Sequence, residues 1–131
     1  MSAELAARGA ILAVLQGDAV LADLVNQIAD GEPVKASPPW LLVGDATTSG
    51  WGARGVRGVT MRQTIELTLR GDQLSAVTAI LDRTDELLRS MDGDLGAWRI
   101  THLAFERSRI RRNGTEWRAA ADYSIRMART L

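Results

Sequence analysis

Few residues in this 131-residue chain could carry out chemistry. The chain has no cysteine, which excludes disulfide bonds, thiolate metal sites and cysteine nucleophiles. His102 is the only histidine, and a single histidine within a predicted strand is far more often a packed or rim residue than a general base or a metal ligand. Ser75 and Ser90 have no histidine near them in the sequence, so they indicate no Ser-His-Asp triad. We therefore expect no catalytic residue and no enzymatic activity.

Acidic side chains form one cluster that could bind a divalent cation. Asp82, Asp85 and Glu86 fall close together in a predicted helix, and Asp92 and Asp94 follow it. The same pattern is typical of a solvated helix face, and this second interpretation is the commoner one. A zinc site would need further histidine or cysteine ligands, which the chain lacks. We expect no bound metal.

Two glycine-containing segments resemble phosphate-binding motifs only in part. GDATTSG (residues 44–50) lacks the lysine and the spacing of a phosphate-binding loop. GARGVRG (residues 52–58) precedes a predicted strand, whereas a dinucleotide-binding glycine motif opens a helix. We therefore expect no cofactor.

The composition is that of one globular domain spanning residues 1–131. Hydrophobic residues make up 46% of the chain and charged residues 24%, close to the average for folded proteins. The formal net charge is zero, which argues against a general nucleic-acid-binding protein. No segment approaches the roughly 18 apolar residues that a membrane-spanning helix needs, and the N-terminus shows no signal-peptide pattern. We expect no membrane partner.

Hydrophobic periodicity predicts an α+β fold with the order α-α-β-β-α-β-β. We predict helices at residues 3–16, 19–25 and 73–91, and strands at residues 40–45, 59–70, 97–111 and 115–129. Residues 59–70 alternate strictly between apolar and polar, which indicates one buried and one solvated face. A change of phase near His102 indicates either a β-bulge or a strand partly buried on both faces. We expect a four-stranded, mainly antiparallel sheet with the helices packed on one face.

Two further segments, residues 29–39 and residues 46–58, are predicted as loops. The first contains a DG turn and the three prolines, and the second is rich in glycine. A loop as long as the second is uncommon unless it is functional, and it contains Trp51. Two interpretations of Trp51 remain open. It buries against another protein chain as an interface anchor, or it folds back over its own sheet.

Residues 106–118 carry five arginines on two predicted strands joined by an Asn-Gly turn. Glu106 and Glu116 accompany them. Such a hairpin could contact phosphate groups or an acidic protein surface, or it could be a solvated hairpin with cross-strand ion pairs. Both interpretations remain open.

Three segments in order make the chain resemble the tail terminator, or tail-completion, proteins of long-tailed bacteriophages and phage-like gene transfer agents. After a short helical N-terminus comes LVNQIADGEPVKASPPWLLVGDATTSGW. The strand-helix unit RQTIELTLRGDQLSAVTAILDRTDELL follows, and then the arginine-rich hairpin FERSRIRRNGTEWRAAADYSIRM. The resemblance covers nearly the whole chain and rests on the order and spacing of these features.

The resemblance implies a structural role in a virion tail. Such proteins form a ring, expected here to be a homo-hexamer, that caps the head-proximal end of the tail tube and stops tube polymerisation. The ring also provides the joint to the head-completion or connector protein. The resemblance further implies that neighbouring subunits extend sheet contacts around the ring and that DNA passes only transiently through the lumen. Assembly is expected in the cytoplasm of the bacterial host.

In such a ring we expect two sets of interface residues, an inter-subunit or tube interface and a hairpin interface. The first set is Thr47, Thr48, Trp51, Arg54 and Arg57, and the second is Arg109, Arg111, Arg112 and Asn113. The main alternative is a small ligand-binding or other interaction module with an α+β fold, which would need a concave pocket with polar groups. A nucleic-acid-binding protein that uses the arginine hairpin is a further alternative.

Overall fold

The computed structural model describes residues 2–33, 35, 37–71 and 74–130 of the chain. In chain order the elements of this described part are α1 (Ala3–Gln16), α2 (Ala19–Leu24), β1 (Gln27–Asp30), β2 (Trp40–Ala53), β3 (Val56–Arg70), α3 (Leu74–Arg89), β4 (Trp98–Asn113) and β5 (Glu116–Arg129). The α+β class is confirmed, and the predicted start of the third helix at residue 73 lies outside the described residues. Among those residues, no helix combines the length and the apolar character that crossing a membrane requires.

The sheet has five strands in the spatial order β1-β2-β3-β5-β4. β1 pairs in parallel with β2, and all other neighbours are antiparallel. The prediction of four strands is therefore wrong, and the predicted first loop begins only after Asp30. β1 is four residues long, which is too short for a recognisable alternation. It becomes a strand by pairing with Trp40–Val43, a contact that the local sequence does not encode.

The prediction that residues 46–58 form a loop is also wrong. β2 continues to Ala53 and β3 begins at Val56, so only Arg54 and Gly55 form the turn. Gly55 has a φ of 79°, a left-handed conformation that glycine adopts without steric cost. Residues 46–53 all pair with β3, and this pairing outweighs the low strand propensity of the glycines.

The core lies between one face of the sheet and the three helices. In β3 and β5 the odd-numbered side chains from Met61 to Leu69 and from Ala119 to Met127 are buried, as strict alternation predicts. α1 adds a stripe of side chains spaced four residues apart, namely Ala3, Ala7, Ile11 and Leu15. The even-numbered side chains of β3 and β5 line the opposite side of the sheet, which we call the open face.

The change of phase in β4 comes from a β-bulge. The register shifts between Ile100 and His102, which confirms the bulge predicted near His102. Because of this bulge, Leu103 pairs with Ile125, a residue of the core. His102 itself is exposed.

A buried polar network joins α1 to the sheet. Gln63 of β3 is fully buried, and its Nε2 donates to the Gly44 carbonyl oxygen at 3.0 Å. The Arg8 guanidinium donates to Gln63 Oε1 at 3.2 Å, to the same Gly44 carbonyl and to the Asp30 carboxylate. The register of β2 is irregular at residues 43–46, so these two side chains satisfy backbone oxygen atoms where the ladder is interrupted.

We expect Gln63→Ala to destabilise the protein by about 2–4 kcal/mol, because it empties a buried site and leaves the Gly44 carbonyl and the Arg8 guanidinium with fewer partners. Gln16→Ala is the matched control. Gln16 is exposed and donates to the Ile28 carbonyl oxygen, so its loss should cost less than about 1 kcal/mol. Denaturant unfolding of both variants measures the difference, and equal costs would contradict the role given to Gln63.

A second polar contact holds α2 against α3. Asp18 is the N-cap of α2, and its carboxylate accepts a hydrogen bond from the Leu21 backbone N–H at 3.0 Å. Arg83 of α3 donates to both oxygen atoms of the same carboxylate, at 2.9 Å and 2.5 Å. Hydrogen bonding from Arg83 is the main reason why the pKa of Asp18 falls from 3.8 to about 2.

We expect Asp18→Asn to lower the melting temperature at neutral pH, and this difference should shrink as the pH falls from about 4 to about 2. Folding lowers the pKa of Asp18 from 3.8 to about 2. Its stabilisation is therefore complete above the unfolded pKa and is lost as the folded carboxylate becomes protonated. Thermal melts of both proteins across this range measure the effect. A difference that stays constant with pH would argue against the contribution of the Arg83 pair.

Candidate functional site

Two long hairpins of the sheet turn at opposite ends of the molecule. The β2–β3 hairpin turns at residues 54–55, and the β4–β5 hairpin turns at residues 114–115. β3 and β5 pair along their length, so Gly58, near the first turn, lies opposite Ala128, at the end of β5 that is remote from the second turn. The interface residues predicted from the sequence therefore form two separate groups, one near each turn.

Strand alternation divides the group near the first turn. Thr47 and Trp51 pair with open-face positions of β3, so they lie on the open face. Thr48 and Arg57 lie on the helix side, where both line a shallow groove at the start of α1. Arg54 is exposed in the turn itself. The structure therefore does not bring these five residues together on one surface.

Trp51 packs against its own sheet. Its indole ring lies directly over Gly58, since a Cβ added to Gly58 would be 2.2 Å from the nearest ring atom. The Arg126 guanidinium lies over the same ring, 4.7 Å from its centroid, which is a cation–π distance. Of the two interpretations of Trp51, the structure shows the one in which it folds back over the sheet. Its enclosed Nε1 has no hydrogen-bond partner among the described residues.

Midway along β5, a buried carboxylate anchors two arginines of β4 on the open face. Asp122 is 3% exposed, and it accepts hydrogen bonds from Thr64 Oγ1 at 2.6 Å and from Arg107 Nε at 2.8 Å. The Arg109 guanidinium lies 3.6 Å from the same carboxylate. Burial raises the pKa of Asp122, but the hydrogen bonds from Thr64 and Arg107 outweigh it and hold the pKa below its usual value. The hairpin thus combines a cross-strand ion pair with exposed guanidinium groups.

Arg112 and Asn113 occupy the helix side and the tip of this hairpin. The Arg112 guanidinium lies 5.3 Å from the centroid of the Trp117 ring. Trp117 Nε1 in turn donates to the Gly71 carbonyl oxygen at 3.1 Å. The predicted hairpin is confirmed, but its turn lies one residue later than Asn-Gly. Asn113 ends β4 and pairs with Glu116, and the turn residues are Gly114, which has a φ of 63°, and Thr115.

Neighbouring side chains donate hydrogen bonds to two of the three acidic residues of α3. Asp85 accepts hydrogen bonds from Tyr123 at 2.8 Å and from Arg89 at 2.6 Å, and Glu86 accepts one from Arg83 at 3.1 Å. Burial and the bond to Asp85 raise the pKa of Tyr123, so its hydroxyl is a neutral donor at physiological pH. Within the described residues, no three histidine or carboxylate side chains converge where they could hold a metal ion.

Two contacts of the candidate site were not predictable from the sequence, the anchoring of Arg107 by Asp122 and the stacking of Arg126 on Trp51. Alternation alone assigns Asp122 and Arg126 to the solvated face of β5. Their partners depend on the register between strands that are far apart in the chain. One sequence signal for the first contact was available, because β5, which contains Asp122, directly follows the arginine-rich β4.

We expect Gly58→Ala to displace Trp51 from the sheet, because the added methyl group would overlap the indole ring. The Nε1–H resonance of Trp51 should shift, and the protein should lose about 1–3 kcal/mol of stability. Gly50→Ala is the control, since nothing lies within 4 Å of a Cβ at that position. If the Trp51 resonance stayed in place in Gly58→Ala, the observed packing would be wrong.

Comparisons with known proteins agree with this fold. Residues 9–128 match the model of the family Tail completion protein gp17. Among solved structures, a chain from "Virion of native gene transfer agent (GTA) particle" superposes with a TM-score of 0.79 at 20% identity, over 97% of this chain and 99% of that chain. A comparison with curated proteins gives no match. Because the family match spans most of its length, the chain belongs to the Tail completion protein gp17 family, whose members are structural proteins and not enzymes.

Proposed function

We propose that this protein caps the head-proximal end of a virion tail tube as a ring, stops tube polymerisation and provides the joint to the head. Its membership of the Tail completion protein gp17 family supports this proposal. The likeness of its fold to a chain of a gene transfer agent virion also supports it. Its neighbours are then the tail tube protein on one side and the head-completion or connector protein on the other.

The positions of the two hairpin turns are the main structural support for the proposal. A cap at the end of a tube must offer one surface to the tube and a different surface to the head. The turns at residues 54–55 and 114–115 lie at opposite ends of the strands, so one subunit can reach both neighbours. The two ends also differ in chemistry, because the first carries a stacked tryptophan and the second carries a cluster of arginines.

The predicted interface residues take their roles from these two ends. At the first end, Thr47, Trp51 and Arg54 belong to the open face and the turn, and Thr48 and Arg57 belong to the helix side. We propose that Arg54 contacts the neighbouring protein and that Trp51 stiffens the hairpin that presents it.

At the second end, Arg109 and Arg111 lie on the open face, while Arg112 and Asn113 lie at the tip. We propose that the tip contacts the protein at the other end of the ring. The ring is a homo-hexamer in this proposal, and DNA meets it only while passing through the lumen. The subunits assemble in the cytoplasm of the bacterial host.

Electron microscopy of particles from a producer that lacks this chain tests the proposal. We expect tails of uncontrolled length that are separate from filled heads, because nothing stops the tube or joins it to the head. Complementation with the intact chain is the control and should restore attached tails of uniform length. Attached tails of normal length in the producer without the chain would contradict the proposed role.

A further inference from the structure

Charge is segregated between two parts of the structure, although the formal net charge is zero. Residues 40–71 and 96–130, which include β2 to β5, hold twelve arginines and five acidic residues. Residues 2–24 and 74–95, which include the three helices, hold eight acidic residues and three arginines. The four long strands are therefore basic, and the layer that covers one of their faces is acidic.

The basic part is accessible on the open face. A shallow groove of about 740 Å³ lies there, next to the second hairpin turn. The residues that line it include Leu42, the two glutamates Glu32 and Glu66, and the three arginines Arg109, Arg111 and Arg118. Arg109 and Arg111 are exposed on β4, so their guanidinium groups can reach a partner that enters the groove.

The outer side of α3 offers a convex surface of the opposite charge. Asp82 and Glu86 lie one helical turn apart and are both exposed. Asp82 has no ion-pair partner among the described residues, and the Glu86 side chain stays 69% exposed despite its contact with Arg83. Phe105 of β4 is 44% exposed and lines a second groove beside Asp82, which adds apolar area to the acidic surface.

We propose that, within the ring, the helical layer of each subunit packs on the open sheet face of the next copy, with Asp82 and Glu86 facing Arg109 and Arg111. This inference rests on the ring-forming role proposed above. The two surfaces have opposite charge and lie on different sides of one subunit. They therefore form a head-to-tail contact, which repeats from copy to copy and can close into a ring.

This contact leaves the other surfaces of the subunit free for their proposed partners. The faces meet neighbouring copies, the hairpin turns lie at the two ends of the ring, and the edges of the sheet point to the lumen and to the outside. Continuous edge-to-edge pairing is the competing arrangement. β4 is unsuited to it, because its register shifts twice, between Ile100 and His102 and between Phe105 and Arg107.

Charge reversal in a complemented producer tests the contact. Arg109→Glu with Arg111→Glu, or Asp82→Arg with Glu86→Arg, should each reduce the number of tailed particles by roughly tenfold or more, because like charges would then face each other. Combining all four substitutions should restore the number to within about threefold of the unmodified chain. Thermal melts of the purified variants verify that each one folds.

Arg54→Glu with Arg57→Glu is the matched control. It changes the net charge as much as the first pair does, but near the other turn. Asp82→Arg with Glu86→Arg should therefore not rescue it. Rescue of this control would mean that only the total charge matters, and it would overturn the proposed contact.

Engineered cysteines give a second, direct test, since the chain has none of its own. Arg118 lies on the open face and Asp82 on α3, with the sheet between them, so a disulfide between these positions within one molecule is not possible. In oxidised particles, Arg118→Cys with Asp82→Cys should give a ladder of linked subunits that ends at the ring size. Arg54→Cys with Asp82→Cys should give none.

The outcomes separate this contact from the proposed function. Tailed particles that contain the chain but show neither rescue nor a ladder would overturn the contact and leave the capping role intact. Absence of the chain from tailed particles would overturn both. A third outcome would also contradict the contact. If the ladder were missing and Arg109→Glu with Arg111→Glu abolished duplex-DNA binding by the purified protein, the open face would be a DNA-binding surface and the proposed contact would be wrong.

Discussion

The position of α1 on the sheet depends on the buried contact between Arg8 and Gln63. Gln63 is fully buried within β3, and Arg8 reaches it from α1 while also bonding to Gly44 of β2 and Asp30 of β1. Backbone groups at an interrupted ladder lack their usual partners, and a buried one left unpaired costs about 1–3 kcal/mol. The two side chains supply those partners. They thereby tie α1 to β1, β2 and β3 on one side of the sheet.

Local periodicity was enough to predict the parts of the fold that depend on it. The alternation of β3 and β5, the amphipathic α1 and α3, and the Asn-Gly hairpin all carry signals within a few residues. β1 and the outer half of β2 carry no such signal. Gln27–Asp30 is a strand only because Trp40–Val43 lies beside it, and residues 46–53 are a strand only because β3 does. A glycine-containing segment such as residues 46–53 is interpreted as a loop unless its pairing with another strand is known.

The candidate surfaces, too, were predictable only where they depend on a local sequence signal. The sequence indicated the two hairpins, but it could not show that Thr47 and Thr48 lie on opposite faces, or that Trp51 is held between Gly58 and Arg126. It also could not show that the zero net charge is divided between a basic sheet and an acidic helical layer. That division depends on which segments the fold brings together. The zero net charge argued against nucleic-acid binding, and the segregated charge favours contact between copies of the chain.

The structure describes a slab with three pairs of distinct surfaces. Its ends carry the hairpin turns, its faces carry opposite charges, and its edges are strand edges. A ring subunit at the end of a tube needs such a division, because it must bind a neighbour on each side and a different protein at each end. Cryo-electron microscopy of the junction between head and tail would test the capping role most directly. We predict a ring of copies of this chain at the head-proximal end of the tube, with one hairpin turn facing the tube and the other facing the head. A junction that contains no copy of the chain would contradict it.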